Sequence, residues 1–295
     1  MTTRFGHVAL IGRPNVGKST LLNQIVEAPL AIVTHKPQTT RHRIMGIHTD
    51  ARGQAVFVDT PGLHKRRDHA LNRRLNRIAA DTSRGVDVLV VVIDANRQTE
   101  EDDLALAQVK HHQGPSLLVL NKIDLLDDRS ALLTLTESLM AKADFKAVVY
   151  ASALKNDGIS DLLDEVFAAL PEGEPAYPED QFTDRSERFL AAEMVREQLM
   201  LQLHQEIPYG LTVVIERFER TDRRVEIDAL IVVAEERHKG MVIGRQGQVL
   251  KRVGTRARVA ISELIGAPVH LTLHVRTRKG WIDDDSLLDE LGYAR

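Results

Sequence analysis

The sequence predicts an α/β domain, with a mainly parallel sheet and helices on both faces, followed by a smaller α+β domain. Three observations support this prediction. A chain of 295 residues is long for one compact core, so two domains are expected. Short apolar runs alternate with helix-length segments over residues 1–170, as in a parallel sheet joined by helices. A proline-rich stretch then precedes a segment whose elements follow a different order.

Five runs in the N-terminal part are nearly continuous in apolar residues, which is typical of strands buried on both faces. These runs occupy residues 7–12, 54–59, 88–94, 116–121 and 147–152. Helix-length segments lie at 18–28, 100–112, 130–143 and 159–170. In the last segment, apolar residues recur at helical spacing on one face. The strands are therefore expected to be joined by helices that cross back over the sheet.

The stretch LPEGEPAYPED at 170–180 contains three prolines, a glycine and several acidic residues. This composition predicts a linker over 171–184, and its 170–180 part is where the domains are expected to rotate. The elements beyond it follow the order helix, strand, strand, helix, helix, strand. They are expected at 186–205, 211–218 and 225–233, in a short helical stretch, and at 247–264 and 269–276. We therefore expect domains at 1–170 and 185–295.

The composition is that of a globular protein, with 43% hydrophobic and 27% charged residues, and the net charge of −3 indicates no particular partner. The absence of cysteine excludes disulfides and cysteine-ligated zinc, and it fits a reducing compartment. No apolar run reaches the roughly 20 residues that a membrane helix needs. The N-terminal residues lack the features of a secretory signal. These observations favour a cytoplasmic protein.

The sequence GRPNVGKST at 12–20 matches the pattern G-x-x-x-x-G-K-[ST] between a predicted strand and a predicted helix. Glycines in this setting let successive backbone N–H groups surround a phosphate chain. Lys18 brings positive charge to the β- and γ-phosphates, and the Ser19 hydroxyl is a ligand for Mg²⁺. The flanking strand and helix make a chance glycine-rich turn the weaker alternative. The nucleotide-binding residues predicted here are Gly12, Arg13, Pro14, Asn15, Val16, Gly17, Lys18, Ser19 and Thr20.

The sequence DTPG at 59–62 follows the next predicted strand. Asp59 is expected to act on magnesium through water, and the backbone N–H of Gly62 is expected to donate to the γ-phosphate. Alone this motif is a common turn. Behind a phosphate loop it predicts a segment that senses the γ-phosphate.

Two further motifs, NKID at 121–124 and ASAL at 151–154, follow later strands and indicate guanine. The Asp124 carboxylate can accept hydrogen bonds from N1–H and the 2-amino group of guanine, whereas adenine offers neither donor and would leave the charge unpaired. Asn121 is expected to tie its strand to the phosphate loop and reach the base, and the Lys122 stem to lie along the purine. The remaining base-binding residues are Ser152, Ala153 and Leu154. GTP or GDP is therefore favoured, and an ATP-dependent enzyme is the weaker alternative.

Together these motifs resemble those of P-loop GTPases of the TRAFAC class over residues 8–170. The sequence KPQTTRHRIMGIHT at 36–49 resembles the switch I region of the Era family. The resemblance implies that Thr40 ligates Mg²⁺ and covers the γ-phosphate, with Thr39 the weaker candidate. It implies Lys18, Thr40 and Gly62 as the residues that promote hydrolysis. Relatives with P-N-x-G-K-S bind K⁺ through the asparagine, so Asn15 is a candidate K⁺ ligand.

Leu63 stands where many GTPases place a glutamine that orients the attacking water. Leucine cannot hydrogen-bond water, so we expect Leu63 to pack and hydrolysis to depend on positioning and electrostatics. Catalytic bases are not expected at His64 or His69. Solvent-exposed charge is the expected role of Arg41, Arg43, Arg66 and Arg67. Slow turnover, accelerated by a partner, is therefore expected.

The sequence MVIGRQGQVLKRVGTRARVAI at 241–261 places G-x-x-G between a short helix and a longer basic helix, and it resembles a type II KH domain. Residues 237–262 contain seven Lys or Arg and no Asp or Glu. A solvated helix face is the usual alternative for such a run, but the adjacent glycines favour nucleic acid. The low aromatic content argues against an RRM, and Trp281 is expected to pack. The predicted RNA-binding residues are Lys239, Ile243, Gly244, Arg245, Gln246, Gly247, Lys251 and Arg252.

A GTPase domain followed by a type II KH domain resembles the Era family over nearly the whole chain. The resemblance implies a monomeric GTP-hydrolysing switch that binds the 3′ region of 16S rRNA, assists 30S subunit assembly and does not bind DNA. GTP is expected to order residues 30–45 and 59–75. Peripheral association with the inner membrane is a weaker implication. The main alternative is a membrane-associated signalling GTPase whose KH fold mediates protein contacts.

Overall fold

The computed structural model describes residues 2–64, 69–128 and 130–293. Within these residues the chain divides into two compact units. The first unit comprises residues 2–31, 40–64 and 72–184, and the second comprises 32–39, 69–71 and 185–293. Two short segments of the N-terminal half therefore belong to the second unit.

The first unit is built on a six-stranded sheet. Its strands are β1 (Arg4–Ile11), β2 (Ile44–Asp50), β3 (Gly53–Asp59), β4 (Val88–Asp94), β5 (Ser116–Asn121) and β6 (Ala147–Ala151). The strand order is β2-β3-β1-β4-β5-β6, and only β2 runs antiparallel to its neighbour. Every residue of β3, β4 and β5 is buried, which explains their continuous apolar sequences. This confirms the predicted mainly parallel sheet.

Helices join the strands. They are α1 (Lys18–Ile25), α2 (Ala70–Arg84), α3 (Asp102–Val109), α4 (Ala131–Met140) and α5 (Ile159–Ala169). Within the first unit, α1 and α5 pack against each other and against β3. Side chains of α2, α3 and α4 instead share a core cluster with β1, β4 and β5. Helices therefore cover both faces, as predicted.

The sequence did not predict β2 or α2 as regular elements. β2 lies at the edge of the sheet and is only half-buried at Met45, so its sequence lacks the continuous apolar run of a central strand. α2 is rich in arginine and asparagine and has no continuous apolar run, but its few apolar residues recur at helical spacing, a signal that the sequence did offer. Edge strands give weaker sequence signals than central strands do.

The expected linker is attached to the first unit along much of its length. The amide of Gln54 accepts from the N–H groups of Ala176 and Tyr177, both at 3.0 Å. The hydroxyl of Thr183 donates to the Met45 carbonyl at 2.7 Å. These bonds attach residues 176–183 to the first unit. The change from the first unit to the second falls after residue 184.

The second unit is an α+β fold with one extra helix at its end. Its elements are α6 (Glu187–Gln202), β7 (Leu211–Arg220), β8 (Val225–Val233), α7 (Glu236–Ile243), α8 (Gln248–Ile265), β9 (Val269–Thr277) and α9 (Asp285–Glu290). The sheet has the order β7-β8-β9, with β7 antiparallel and β9 parallel to β8. The order up to β9 is the predicted one, and α9 was not predicted.

The core of the second unit is formed by α6 and α8 against the sheet. Trp281 is completely buried, donates from Nε1 to the Gly210 carbonyl at 3.1 Å, and stacks on Tyr293 at a ring distance of 5.9 Å. The Tyr293 hydroxyl in turn donates to the Thr212 hydroxyl at 2.9 Å. The expectation that Trp281 packs is confirmed. In the described part of the chain, no helix combines the length and apolarity needed to span a membrane.

Candidate functional site

The phosphate loop connects the end of β1 to the start of α1 through backbone conformations that favour glycine. Gly12 has φ 155° and Gly17 has φ 104°. A Cβ on Gly12 would lie 2.4 Å from the Val92 carbonyl oxygen, and one on Gly17 would lie 2.2 Å from Nδ2 of Asn121. Both positions therefore require glycine for steric reasons as well. The loop ends at an α-helix N-terminus, where N–H groups are available to an anion.

Lys18 is buried at the centre of this loop. Its Nζ donates to the carbonyl oxygens of Gly12 at 3.0 Å and Arg13 at 3.1 Å. Burial lowers the pKa of the Lys18 ammonium to about 8, while Asp59 opposes and Arg13 adds to this effect. A group with this pKa is still mostly charged at neutral pH, and an anion beside it would stabilise that charge further.

Three oxygen-bearing side chains converge beside the start of α1. Ser19 Oγ donates to Asp59 Oδ2 at 2.6 Å and lies 2.8 Å from Thr40 Oγ1, which is itself 3.2 Å from the same carboxylate oxygen. Burial raises the pKa of the Asp59 carboxyl, although the charge of Lys18 opposes this. The other Asp59 oxygen, Oδ1, is buried without a hydrogen-bond partner among the described residues.

This group suits Mg²⁺, which prefers oxygen ligands and is often held by one carboxylate together with substrate phosphates. The unpartnered oxygen of Asp59 is the clearest sign of fit, because a buried carboxylate oxygen without a partner is costly. Over the described ranges, no group of three His, Cys, Asp or Glu residues could hold a metal by itself.

The two neighbouring threonines face different partners. The Thr39 hydroxyl donates to the Lys36 carbonyl at 2.7 Å and lies 2.6 Å from the Thr34 hydroxyl. Of the two threonines, Thr40 is therefore the one whose hydroxyl lies beside Ser19 and Asp59.

The turn after β3 lies against the phosphate loop. The Leu63 N–H donates to the Gly12 carbonyl at 3.1 Å, and a Cβ on Gly62 would lie 2.6 Å from the Pro14 nitrogen. The Leu63 side chain is only 5% exposed and belongs to the core cluster. The expectation that Leu63 packs is confirmed. His64 is also buried, with its backbone bonded to the Asn76 amide.

The arginines near these segments differ from expectation in one case. Arg41 is completely buried, so the expectation of a solvated charge is wrong for it. Arg43 is exposed, as expected. Arg66 and Arg67 lie outside the described residues. No local pattern indicates that a charged residue next to Thr40 is enclosed by the fold.

Arg13 faces two carboxylates that sequence reasoning missed. Its Nε lies 3.1 Å from a carboxylate oxygen of Asp102, and its guanidinium is 3.7 Å from Asp94. Asp94 also pairs with Lys122 at 2.7 Å. The position of Asp94 at the end of a buried strand, like Asp59 and Asn121, was a signal that could have identified it. Through these two carboxylates the Arg13 side chain holds the phosphate loop in place.

The residues of NKID and ASAL form a connected set at the ends of β5 and β6. Asn121 Nδ2 donates to the Val16 carbonyl at 2.8 Å, and its Oδ1 accepts from the Ala153 N–H at 2.9 Å. The Ser152 hydroxyl donates to Asp124 at 2.5 Å. Asp124 itself is half-exposed. These bonds connect the predicted base-binding residues to each other and, through Val16, to the phosphate loop.

The other predicted residues of this site lie around its rim. Leu154 is 72% exposed, Thr20 is half-buried, and Lys122 has a left-handed backbone with φ 67°. Asn15 lies in the exposed part of the phosphate loop, also with a left-handed φ of 64°. An exposed amide in this loop is accessible to ligands.

The second unit presents its G-x-x-G sequence between α7 and α8. Gly244 has φ 74°, and a Cβ there would lie 2.4 Å from Val249 Cγ2, so only glycine fits. Gly247 has φ 73°, and a Cβ there would have no other described atom within 4 Å. The backbone at Gly247 is therefore open to close approach by a partner. Gln246 also has a left-handed backbone, with φ 51°.

Basic side chains follow this turn along α8. A groove with a volume of about 490 Å³ runs along the helix, and its lining residues are Gln248, Lys251, Arg252, Thr255 and Arg256. Arg245 is exposed in the turn, while Lys239 and Ile243 are half-buried on α7. The predicted RNA-binding residues therefore lie on the turn and on the two helices that flank it.

The chain matches two families of known domains. Residues 7–122 match the family described as 50S ribosome-binding GTPase, and residues 206–282 match the KH domain family. GTPase Era of Stenotrophomonas maltophilia is 49% identical over 288 residues, which cover 98% of this chain and 97% of the relative. GTPase Era of Xanthomonas oryzae pv. oryzae is 48% identical over 290 residues, with the same coverage.

Two crystal structures resemble the whole chain. One is an Aquifex aeolicus Era variant bound to GDP and AlF4⁻, with a TM-score of 0.95, 34% identity and complete coverage of both chains. The other is Era in complex with MgGDPNP and nucleotides 1506–1542 of 16S ribosomal RNA, with a TM-score of 0.95, 34% identity, and coverage of 99% and 100%. With nearly half of its residues identical to the curated relatives over almost its full length, the chain belongs to the Era family of GTPases, P-loop enzymes that hydrolyse GTP.

Proposed function

We propose that this protein is a GTP-hydrolysing molecular switch that binds 16S rRNA through its KH domain and assists assembly of the 30S ribosomal subunit. The observation that carries the proposal is its likeness over the whole chain to Era in complex with MgGDPNP and 16S rRNA. That likeness spans both the phosphate loop and the G-x-x-G turn, so one chain holds a nucleotide site and an RNA site.

At the base, we propose that Asp124 accepts from guanine N1–H and the 2-amino group. Ser152 already donates to Asp124 at 2.5 Å and would orient this carboxylate. Asn121 fixes the loop that carries Ala153, whose backbone faces the 6-oxo group in this proposal. Adenine would leave Asp124 without its donors, and this provides the discrimination.

At the phosphates, the loop N–H groups and Lys18 would bind the β- and γ-phosphates. Ser19 and Thr40 would ligate Mg²⁺, and Asp59 would act on it through water. When bound, Mg²⁺ neutralises charge that develops on the transferred phosphoryl group. The proposed role of Gly62 is to donate its backbone N–H to the γ-phosphate.

Hydrolysis in this proposal depends on fixed donors rather than on a side chain that orients water. Leu63 is packed in the core, so it offers no polar group to the water. Preorganised N–H groups and Lys18 would stabilise the negative charge that develops on the phosphates. Asn15 remains a proposed K⁺ ligand, and equal hydrolysis rates in KCl and NaCl would argue against that role.

For RNA, the open backbone at Gly247 and the basic groove of α8 support close approach of a phosphodiester chain. Arg245, Lys251 and Arg252 would contact phosphates, and the half-buried Ile243 would form part of an apolar groove for bases. Location in the cytoplasm, weak membrane association, the monomeric state and the absence of DNA binding stay predictions from the sequence.

Two measurements test the proposal. Competition between GTP and ATP for the purified protein should favour GTP by at least about 100-fold, because two hydrogen bonds to a charged group discriminate the bases. Equal affinities would contradict the nucleotide assignment. For RNA, the double substitution Gly244→Asp/Gly247→Asp should abolish binding of a 3′ fragment of 16S rRNA and leave GTP affinity unchanged.

The double substitution also addresses the alternative of a membrane-associated signalling GTPase whose KH fold binds protein. Two new carboxylates at the turn would repel phosphate but need not disturb a protein partner elsewhere on the unit. A matched control is Asp222→Asn in the exposed β7–β8 turn, which removes charge far from G-x-x-G in the sequence. Undiminished RNA binding by the double variant would favour the alternative.

A further inference from the structure

Residues 32–39, which precede Thr40, form a compact loop that belongs to the second unit. The loop is closed by its own polar groups. The Thr34 and Thr39 hydroxyls lie 2.6 Å apart, the Lys36 N–H donates to the Thr34 hydroxyl at 3.1 Å, and the Thr39 hydroxyl donates to the Lys36 carbonyl at 2.7 Å. This folded loop is attached to the second unit rather than to the nucleotide domain.

Helix α6 holds the loop at Val33 and at Lys36. The Glu197 carboxylate accepts from the Val33 N–H at 2.9 Å. The Lys36 ammonium donates to the carbonyl oxygens of Met200 and Leu203, at the C-terminal end of α6. A cation at this end of a helix is favoured by the unpaired carbonyl groups.

The third attachment is buried and lies next to the proposed magnesium ligand. Arg196 NH2 donates to the Thr39 carbonyl at 2.6 Å, and the same guanidinium binds Glu193 through two bonds of 2.8 and 2.6 Å. Arg196 is 1% exposed and Glu193 is 4% exposed. Burial disfavours the charge on Arg196, but Glu193, together with Tyr293 and Glu197, more than offsets this, and the pKa of the guanidinium is raised. A two-bond pair in a buried site fixes orientation as well as charge.

The next residue is Thr40, whose hydroxyl lies 2.8 Å from Ser19 and 3.2 Å from Asp59. A single peptide bond therefore joins a carbonyl held by α6 to a side chain in the proposed magnesium site. Because the peptide unit is planar and stiff, fixing the carbonyl of Thr39 also restricts the backbone nitrogen of Thr40.

We propose that Arg196 is a positioning residue that fixes Thr40 at the magnesium site by holding the main chain at Thr39. The role rests on the proposed function, in which Thr40 ligates Mg²⁺ and covers the γ-phosphate. Glu193 orients Arg196, and Lys36 adds a second attachment to the same helix.

The test uses the full-length protein with the double substitution Glu193→Gln/Arg196→Met. Changing both partners avoids leaving one buried charge unpaired, which is the main risk of the single change. The readout is the affinity for a non-hydrolysable GTP analogue, measured once with saturating Mg²⁺ and once with a chelator. The affinity with Mg²⁺ divided by the affinity in chelator reports how much the ion contributes to binding, and therefore how well Thr40 is placed to ligate it.

In the double variant this ratio should fall about five- to tenfold, near the lower end of coupling between linked sites. The affinity in chelator should stay unchanged, because the base end and the phosphate loop are intact. Arg188→Met is the matched control, since Arg188 also lies on α6 and donates to main-chain carbonyls of β7 without touching residues 32–39. Its ratio should equal that of the unmodified protein.

A second variant, Lys36→Met, removes an attachment without creating a buried unpaired charge, and should reduce the ratio by a smaller factor. If the double variant fails to fold in a thermal unfolding assay, Lys36→Met decides the question. An unchanged ratio in folded variants overturns the proposal. A failure of the proposed function would be seen differently, as a lack of GTP preference or of any Mg²⁺ effect in the unmodified protein.

Discussion

The base end and the metal end of the nucleotide site differ in how completely the protein holds them. At the base end, Asn121 bonds to Val16 and Ala153, and Ser152 bonds to Asp124, all from fixed strand ends. At the metal end, an oxygen of Asp59 has no partner among the described residues. The named side chains of the base end are thus bonded to each other or to the neighbouring loops, whereas one carboxylate oxygen at the metal end is not.

The difference indicates where binding energy is used. A site that is already hydrogen-bonded requires little ordering on binding, so it can set specificity for the base at low entropic cost. A site with an unpartnered carboxylate oxygen gains most when a cation arrives.

The greatest loss of affinity is expected from changing the base end alone. Asp124→Asn should weaken GTP binding by at least about 100-fold, because two hydrogen bonds to a charged acceptor are lost. An asparagine can donate to the 2-oxo group of xanthine, so XTP should bind the variant better than GTP does. Competition titrations with both nucleotides measure this.

Turnover by the same variant tests whether the two ends act independently. With saturating XTP, its kcat should approach that of the unmodified protein with GTP, because the metal end is untouched. Asp222→Asn, in the exposed β7–β8 turn, is the control. A kcat that falls in parallel with base affinity would show that the two ends do not act separately.

A smaller change is expected when the metal end is altered in the nucleotide-free protein. Burial raises the pKa of Asp59 even though Lys18 opposes the shift. The folded protein therefore holds the Asp59 proton more tightly than the unfolded chain does. As the pH rises from the ordinary pKa of 3.8 through the raised pKa of the folded state, the unfolded chain ionises more readily, and the free energy of unfolding falls. Asp59→Asn should therefore stabilise the nucleotide-free protein at neutral pH, by about 1–2 kcal/mol.

Urea unfolding at several pH values, with nucleotide and Mg²⁺ removed, measures this difference. The advantage of Asp59→Asn should shrink as pH falls through the raised pKa, because the native carboxyl is then neutral as well. The variant should also lose the Mg²⁺-dependent part of its GTP affinity. A variant less stable than the unmodified protein at all pH values would mean that the carboxylate is not strained at the metal end.

The most modest change is expected at the second short segment that belongs to the second unit, residues 69–71. The Asp283 carboxylate accepts from the Ala70 N–H at 3.1 Å and lies 2.9 Å from His69 Nδ1, at the start of α2. Asp283→Ala should lower the free energy of unfolding by about 1 kcal/mol, as loss of a helix cap does. Urea unfolding measures it, and Asp222→Ala should leave stability unchanged. A loss no greater than in that control would show that Asp283 does not support α2.

The sequence predicted best what depends on local chemistry. Short stretches of chain are enough to predict the motifs at strand ends, the glycines of both loops and the buried strands. Each of these features requires particular residue types at particular positions. Leu63 is predictable as a core residue because leucine has no polar group to offer.

Long-range pairing was beyond the reach of the sequence. Nothing local marks Arg41 as buried, joins Arg13 to Asp102, or attaches Thr39 to Arg196, since those partners are distant in the chain. The strand β2 was missed for a different reason. As an edge strand it is partly exposed and shows little periodicity in its sequence.

The attachment of residues 171–184 bears on the solubility of shortened proteins. β2 is the outer strand of the first sheet, and the chain near Thr183 pairs with it at Gly46, while Ile47 donates to the Phe182 carbonyl at 2.9 Å. An open outer strand is a template for self-association. A GTPase domain cut after residue 170 would bare that strand and tend to aggregate, whereas one that extends to residue 184 would keep it covered.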